Sequence, residues 1–218
     1  MSRGEMNEFW NKHYKTFSEE APSPFAFWVA HEFLSPDDEL VEIGSGNGRD
    51  GIYLSGFVGK YTGIDLSQSA VDAATQKLLK INPRNSNARF QQMDFSVFQF
   101  SSASLSRLVV YSRFSLHSDN EEAEDLLLAH LSSVKNRKLI VFIEVRTVLD
   151  ELYGVGREVG ENEFITDHYR RFINPDRFRS KVENKFEIMY FEVSDLFAPY
   201  KNEKPKVLRV VLESSQAR

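Results

Sequence analysis

Apolar residues along this chain follow two rhythms, short continuous runs and a three-to-four spacing, and the two alternate in a regular order. The stretches Leu40 to Ile43, Lys60 to Asp65, Arg89 to Gln92, Leu105 to Tyr111 and Lys138 to Val145 have the length and bulk of strands. The last of them, KLIVFIEV, is apolar almost throughout, as a strand covered on both faces must be. Between them the helical spacing predicts helices over 49–57, ending before Gly59, over 68–80, and over 119–134. The second carries Ala70, Val71, Ala74, Leu78 and Ile81 on one face, and the third carries Ala123, Leu127, Leu131 and Val134. Ser118 with Glu121 three residues on predicts a capping box at the start of that third helix. His130 lies beside its apolar stripe and is read as structural.

The alternation predicts an α/β domain with a mostly parallel sheet. It closes on two runs, 186–193 and 207–213, that no helical pattern separates, so the last strand is expected to be antiparallel. Before the first strand, Trp10, Tyr14 and Phe17, then Phe25, Trp28, Val29 and Phe33, repeat on helical faces and predict a helical cap over 1–36. Between the fifth strand and a helix expected at Asn174-Pro175-Asp176 lies 146–173, a connection too long for an ordinary loop and too charged for core. Its Tyr, His and Arg content predicts a substrate insertion. One domain spans 1–218, with no internal repeat or linker.

The sharpest local signal is Glu39 to Asp50, ELVEIGSGNGRD. Glycines at 44, 46 and 48 interrupt the first strand before a helical run, giving a strand, a tight turn and a helix. A dinucleotide fingerprint needs Gly-x-Gly-x-x-Gly, and Arg49 stands where its third glycine belongs. The strand end carries an acid, Glu42, which suits a cationic ligand and repels a pyrophosphate. Asp65 ends the second strand about twenty residues beyond the glycines, the distance that brings a carboxylate to a ribose in nucleoside-binding α/β folds.

With Glu42-x-Gly44-x-Gly46-x-Gly48, then Asp65, then Asp94, the chain resembles the class I S-adenosylmethionine-dependent methyltransferases. GSGNGRD, YSRFSLHS and EVRTVLDELYGVGREVG are similar to the branch that modifies small molecules and bacterial surface saccharides. The resemblance implies a Rossmann-like sandwich, with a seven-stranded, mostly parallel sheet whose last strand is antiparallel, and an N-terminal helical cap. It implies S-adenosyl-L-methionine as cofactor, held by Glu42, Gly44, Ser45, Gly46, Arg49, Asp50, Asp65, Leu66, Ser67, Met93, Asp94, Phe95 and Ser112. Asp94 takes the place of the acid that bonds the adenine amino group. The N-terminal helices of such enzymes close over cofactor and acceptor, which makes Tyr14 and Ser23 contacts to look for.

Methyl transfer to a sugar hydroxyl requires a base, whereas an anionic acceptor requires only placement. His117, just past the fourth strand, and His168, in the insertion, are the base candidates, and Glu144 is expected to orient His117 or to act itself. Arg113, Arg146, Arg157, Arg170 and Arg171 crowd the acceptor side with Tyr169, and Tyr14, Arg113, Arg146, Tyr169 and Arg170 are the expected substrate contacts. Arginines converging on one pocket imply a phosphate or carboxylate on the acceptor. Arg170 and Arg171, adjacent on an extended chain, cannot both face inward.

Composition narrows the field further. The 218 residues include no cysteine, which excludes disulfides, thiolate metal sites and a cysteine nucleophile. A net charge of -5 argues against nucleic acid as the main partner, and no apolar run is long enough for a membrane span, so a cytoplasmic protein is expected. The leading expectation is methyl transfer to oxygen of a small polar acceptor, a saccharide or its phosphorylated form. A transfer to nitrogen of a protein or RNA, and a regulatory module that binds the cofactor without transfer, stay open beside it.

Overall fold

The computed structural model describes residues 3–16, 21–84, 87–100, 106–199 and 203–214. Seven strands form one sheet: β1 (Glu39–Ile43), β2 (Lys60–Asp65), β3 (Ala88–Gln92), β4 (Leu108–Arg113), β5 (Leu139–Arg146), β9 (Phe186–Ser194) and β10 (Val207–Ser214), in the order β3-β2-β1-β4-β5-β10-β9. The pairs among β1 to β5 are parallel, and β10 runs antiparallel to both β5 and β9. Burial follows position in the sheet. β1 is buried at every residue and β5 at all but its last, while the edge strands β3 and β9 mix exposed and covered positions.

Each sheet face has its own core, because alternate side chains of a strand point to opposite sides. Val41, Ile43, Val110 and Ile143 pack with Leu127 and Leu131 of α5 (Glu121–Ser132) and with Phe178 of α6 (Pro175–Val182). On the other face Leu40, Val109, Tyr111 and Phe142 pack with Phe25 and Val29 of α2 (Pro24–Phe33) and with Leu54 of α3 (Arg49–Leu54). The remaining helices are α1 (Arg3–His13) and α4 (Gln68–Ile81). α2 opens on Ser23, whose hydroxyl accepts from Ala26 N, with Pro24 in its first turn.

Several boundaries differ from the sequence expectation. α3 stops at Leu54. α5 is capped by Asn120, whose side chain accepts from Ala123 N, and Ser118 belongs instead to a 3-10 turn, Leu116–Ser118. Three glutamates in the first turn of α5 favour that later start, since acids stabilise a helix N-terminus. The expected helix start at Asn174 and Pro175 is present, with Asn174 as cap. Phe17 and Leu105 lie outside the described residues.

The long connection after β5 is a folded unit. It makes an antiparallel meander of β6 (Arg157–Gly160), β7 (Glu163–Ile165) and β8 (Tyr169–Arg171) around Tyr153, Phe164 and Phe172. Arg171 fastens it to the sheet's carboxyl edge. Its guanidinium donates to the carbonyls of Asp119 and Leu116 and to Glu124. Those bonds tie β8 to the 3-10 turn that carries His117.

Candidate active site

The bend between β1 and α3 is built for close approach. Gly44, Gly46 and Gly48 all have positive φ, at 67°, 52° and 75°. A Cβ on Gly44 would lie 2.1 Å from the Ser115 hydroxyl, which donates to Ile43 O, and one on Gly46 would lie 2.6 Å from the Tyr14 hydroxyl. Side chains are therefore excluded at both positions by backbone geometry and by space. Asp65 spans the bend from the neighbouring strand end, accepting from Gly46 N and Ser67 N, each at 2.8 Å.

Three more acids stand around it. Glu42 is buried and accepts from the Tyr61 hydroxyl. Burial, then the charge of Asp50, pushes its carboxyl well above the usual range. Burial also raises Asp65, against the two backbone amides that hold it down. Asp50 accepts from Ser23 N and Ser23 Oγ at 2.7 Å and from the Tyr111 hydroxyl at 2.8 Å, so it locks the start of α2 onto β4. Asp94 opens a 3-10 turn at Phe95–Val97, and one of its oxygens accepts from Ser96 N and Ser96 Oγ.

These groups line a single cavity of about 310 Å³ at the carboxyl edge of the sheet. One end is walled by Glu42, Gly44, Ser45, Gly46, Asn47, Arg49, Asp50, Asp65, Leu66, Met93, Asp94 and Phe95, with Met6, Trp10 and Tyr14 contributed by the N-terminal segment. Asn11 fixes that segment, its side-chain oxygen accepting from Ser67 Oγ at 2.9 Å and Ser69 N at 3.0 Å. The far end is walled by Arg113, Phe114, His117, Asp119, Arg146, His168 and Arg170.

Residues 40–136 match the family model described as a methyltransferase domain. That match runs from β1 through α5 and takes in the glycine bend, Asp65 and Asp94. Among solved structures, a SAM-dependent methyltransferase from Anabaena variabilis ATCC 29413 is 18% identical with a TM-score of 0.70, covering 99% of this chain and 96% of that one. One from Methanosarcina mazei is 17% identical with a TM-score of 0.68, covering 85% and 96%. Phosphoethanolamine N-methyltransferase 1 of Haemonchus contortus, solved with phosphoethanolamine and S-adenosylhomocysteine, is 12% identical with a TM-score of 0.75, covering 99% of this chain and 50% of that one. At such identities the likeness is one of fold. No protein of curated function matches the sequence.

The far end of the cavity holds both histidines expected from sequence. His117 is 6% exposed, stacks on Phe114 at 5.3 Å, and among the described residues has no hydrogen-bond partner at Nδ1. Burial, then the charges of Arg146, His168, Arg170 and Arg171, holds its imidazole well below its usual pKa and hence neutral. His168 lies between Asp167 and the rings of Phe9 and Trp10, and burial followed by Arg170 lowers it to about 4.

Other expected positions lie elsewhere. Glu144 does not line the cavity or meet His117. Its carboxylate is taken by Arg113 Nε at 2.9 Å and by Arg209 at 3.1 and 2.6 Å, because β5 is flanked by β4 and β10 and both neighbours present an arginine there. Ser67 is fully buried as the cap of α4, Ser112 is buried within β4, and Tyr169 is buried in β8, all outside the lining. Ser23 serves Asp50, also outside it. Arg157 is exposed on β6. Of the adjacent pair, Arg170 lines the cavity and Arg171 points away, as alternation on a strand requires.

Sequence reasoning missed Tyr61, Tyr111, Asn11 and Phe114. The two tyrosines carried a signal, since a buried phenol on a strand needs a partner and the carboxylates beside them are the nearest acceptors. Phe114 has φ 56°, which nothing in its residue type announces.

Proposed function

We propose that this protein transfers the methyl group of S-adenosylmethionine to an oxygen of a small polar acceptor, a saccharide or phosphorylated saccharide of a surface polysaccharide. The observation that carries the reading is the division of one cavity. Acids and a bend free of side chains form one end, and a buried, neutral, unpartnered histidine stands at the other.

The residues present fit the donor. Glu42 is a buried carboxylate paired with a phenol, so a cationic ligand relieves its burial. The glycine bend admits a ligand against the backbone, while Asp65 and Asp94 offer carboxylates for hydroxyl and amino donors. When bound, S-adenosylmethionine supplies a methyl carbon activated by its sulfonium. Met6, Trp10 and Tyr14 wall the cleft on the side of the N-terminal segment. His117 then takes the acceptor hydroxyl's proton on its neutral imidazole as the new C–O bond forms. Glu144 has no part in that step beyond fixing Arg113.

Incubation with S-adenosylmethionine labelled in its methyl group and a fractionated cell extract tests the proposal. Label in an alkali-stable ether on a small saccharide is expected. Label in protein or RNA, or binding of the cofactor with no labelled product, overturns it.

A further inference from the structure

The acceptor end of the cavity is built around one strained aromatic ring. Phe114, in the left-handed region at φ 56°, has the Arg113 guanidinium carbon 4.3 Å and the Arg146 guanidinium carbon 5.8 Å from its ring centroid, with the His117 ring stacked at 5.3 Å. A bulky residue keeps such a backbone only where its surroundings fix it, and such sites concentrate where function needs them. Two of the arginines lining this end, Arg113 and Arg170, are held from behind with donors left over. Arg113 is gripped at Nε by Glu144, and among the described residues its Nη groups have no hydrogen-bond partner. Arg170 is gripped at Nη1 by Thr166 and Asp167, and its Nε and Nη2 are likewise without one.

The acids that hold these arginines lie behind them. Glu144, Asp150, Glu203 and Asp167 pair with Arg113, Arg146 and Arg170, and none of the four lines the cavity. The carboxylate that does line this end, Asp119, accepts from Asn120 N. Glu144 is shared with Arg209, so that buried group carries two guanidiniums on one carboxylate. His117, nine-tenths buried with an unpartnered nitrogen, adds a second and independent mark of a site made for a ligand.

We propose that the acceptor carries an anionic group, a phosphate, phosphonate or carboxylate, seated on the open donors of Arg113 and Arg170 so that a neighbouring hydroxyl meets His117. This rests on the methyl-transfer reading above and names its substrate class. Guanidinium forks fixed at one nitrogen are pre-organised for oxyanions, so little order is lost on binding. The reaction stays balanced. The hydroxyl oxygen forms the C–O bond, the C–S bond breaks with its electron pair going to sulfur, the proton goes to His117, and the acceptor's anionic group leaves the site unchanged on the methylated product.

The test is calorimetric titration of inorganic phosphate and methylphosphonate into the full chain saturated with S-adenosylhomocysteine. Saturable binding alongside the nucleoside is expected, weakened about tenfold or more in Arg170→Gln and in Arg113→Gln, with S-adenosylhomocysteine affinity within about threefold of wild type. Retained nucleoside binding shows that each variant is folded, and Arg170→Lys, which keeps the charge without the fork, is expected to fall between. Three results overturn the inference: no saturable anion binding by the loaded wild type, anion binding untouched in both variants, or competition between phosphate and S-adenosylhomocysteine, which assigns the arginines to the cofactor's own carboxylate. Failure of the wild type to bind S-adenosylhomocysteine at all sinks the methyl-transfer reading itself, and is told apart by that first titration.

Discussion

Glu39 and Glu42 sit three residues apart on the same strand, and the protein treats them in opposite ways. Glu39, at the amino edge of the sheet, faces Lys60 at 2.6 Å and Arg137 at 3.0 Å. Burial acts to raise its carboxyl, but hydrogen bonds and charges from those two partners outweigh it and hold the group below its usual value. The same edge pairs Asp38 with Arg107 through two bonds, at 2.9 and 2.7 Å. Glu42, at the carboxyl edge, has a tyrosine for a partner and a second acid, Asp50, for a neighbour, and its carboxyl is raised well above the ordinary range. One edge neutralises its acids within the chain. At the other, the charge of Arg113 acts on Glu42 but does not outweigh its burial and the neighbouring acids, so the carboxyl stays raised.

The largest effect that sharpens this contrast is expected at the base. His117→Gln should lower turnover by about 10²-fold or more while leaving S-adenosylhomocysteine affinity within about threefold. Because burial and nearby guanidiniums hold His117 below its usual pKa, wild-type turnover should stay level as pH falls through 6.5 and drop only under more acidic conditions. A rate that already halves near pH 6.5 contradicts a buried neutral base. Next comes Asp65→Ala, which strips the acceptor from Gly46 N and Ser67 N and removes a carboxylate from the cofactor end. A drop of about a hundredfold in cofactor affinity is expected by calorimetry, since each hydrogen bond to a charged group contributes about 1.5–3 kcal/mol.

The amino edge should answer differently. Glu39→Gln removes the charge that faces both Lys60 and the buried Arg137 side chain and is expected to lower stability by about 1–3 kcal/mol, read from chemical denaturation, with cofactor affinity unchanged. Loss of cofactor binding there would erase the distinction between the edges. Smallest is the pH effect of Glu42→Gln on the protein without cofactor. At low pH the Glu42 carboxyl is protonated in both folded and unfolded chains. As pH rises above the ordinary value of 4.5 the unfolded chain ionises while the folded one does not, so stability falls across the window up to the raised folded value. Removing the carboxyl should flatten that decline and raise the midpoint of thermal unfolding at neutral pH, at the expense of cofactor affinity. Glu39 has the opposite sign: its stabilisation is present above the ordinary carboxylate value and is lost as pH falls through the depressed one.

Legibility in the sequence divides along physical lines. The sheet, its antiparallel last strand and the glycine bend were readable because each has a local cause: continuous apolar runs, a missing helix between 193 and 207, and three glycines that only positive φ requires. Glu42, Asp65 and Asp94 follow from that frame, since a parallel strand order delivers consecutive strand ends to one edge and all three line the cavity. Glu144 did not follow. Its partner Arg209 lies 65 residues away, and nothing local announces that β10 returns beside β5 with an arginine in register. The meander was equally hidden. Strands of three and four residues such as REVG and YRR carry too little alternation to stand out, and they are held by Arg171 reaching across to α5. The cap at Asn120 was missed because Ser118 offers the same chemistry two residues earlier, and only the acids that follow decide between them.

Central to all of this is that the acid-lined end of the cavity takes a cationic nucleoside. Titration of the wild-type protein with S-adenosylmethionine, repeated in the presence of NADH, tests it most directly. Saturable one-to-one binding that NADH leaves unchanged, and that Asp65→Ala weakens about a hundredfold, is the predicted result. Tight binding of NADH with none of S-adenosylmethionine would contradict it.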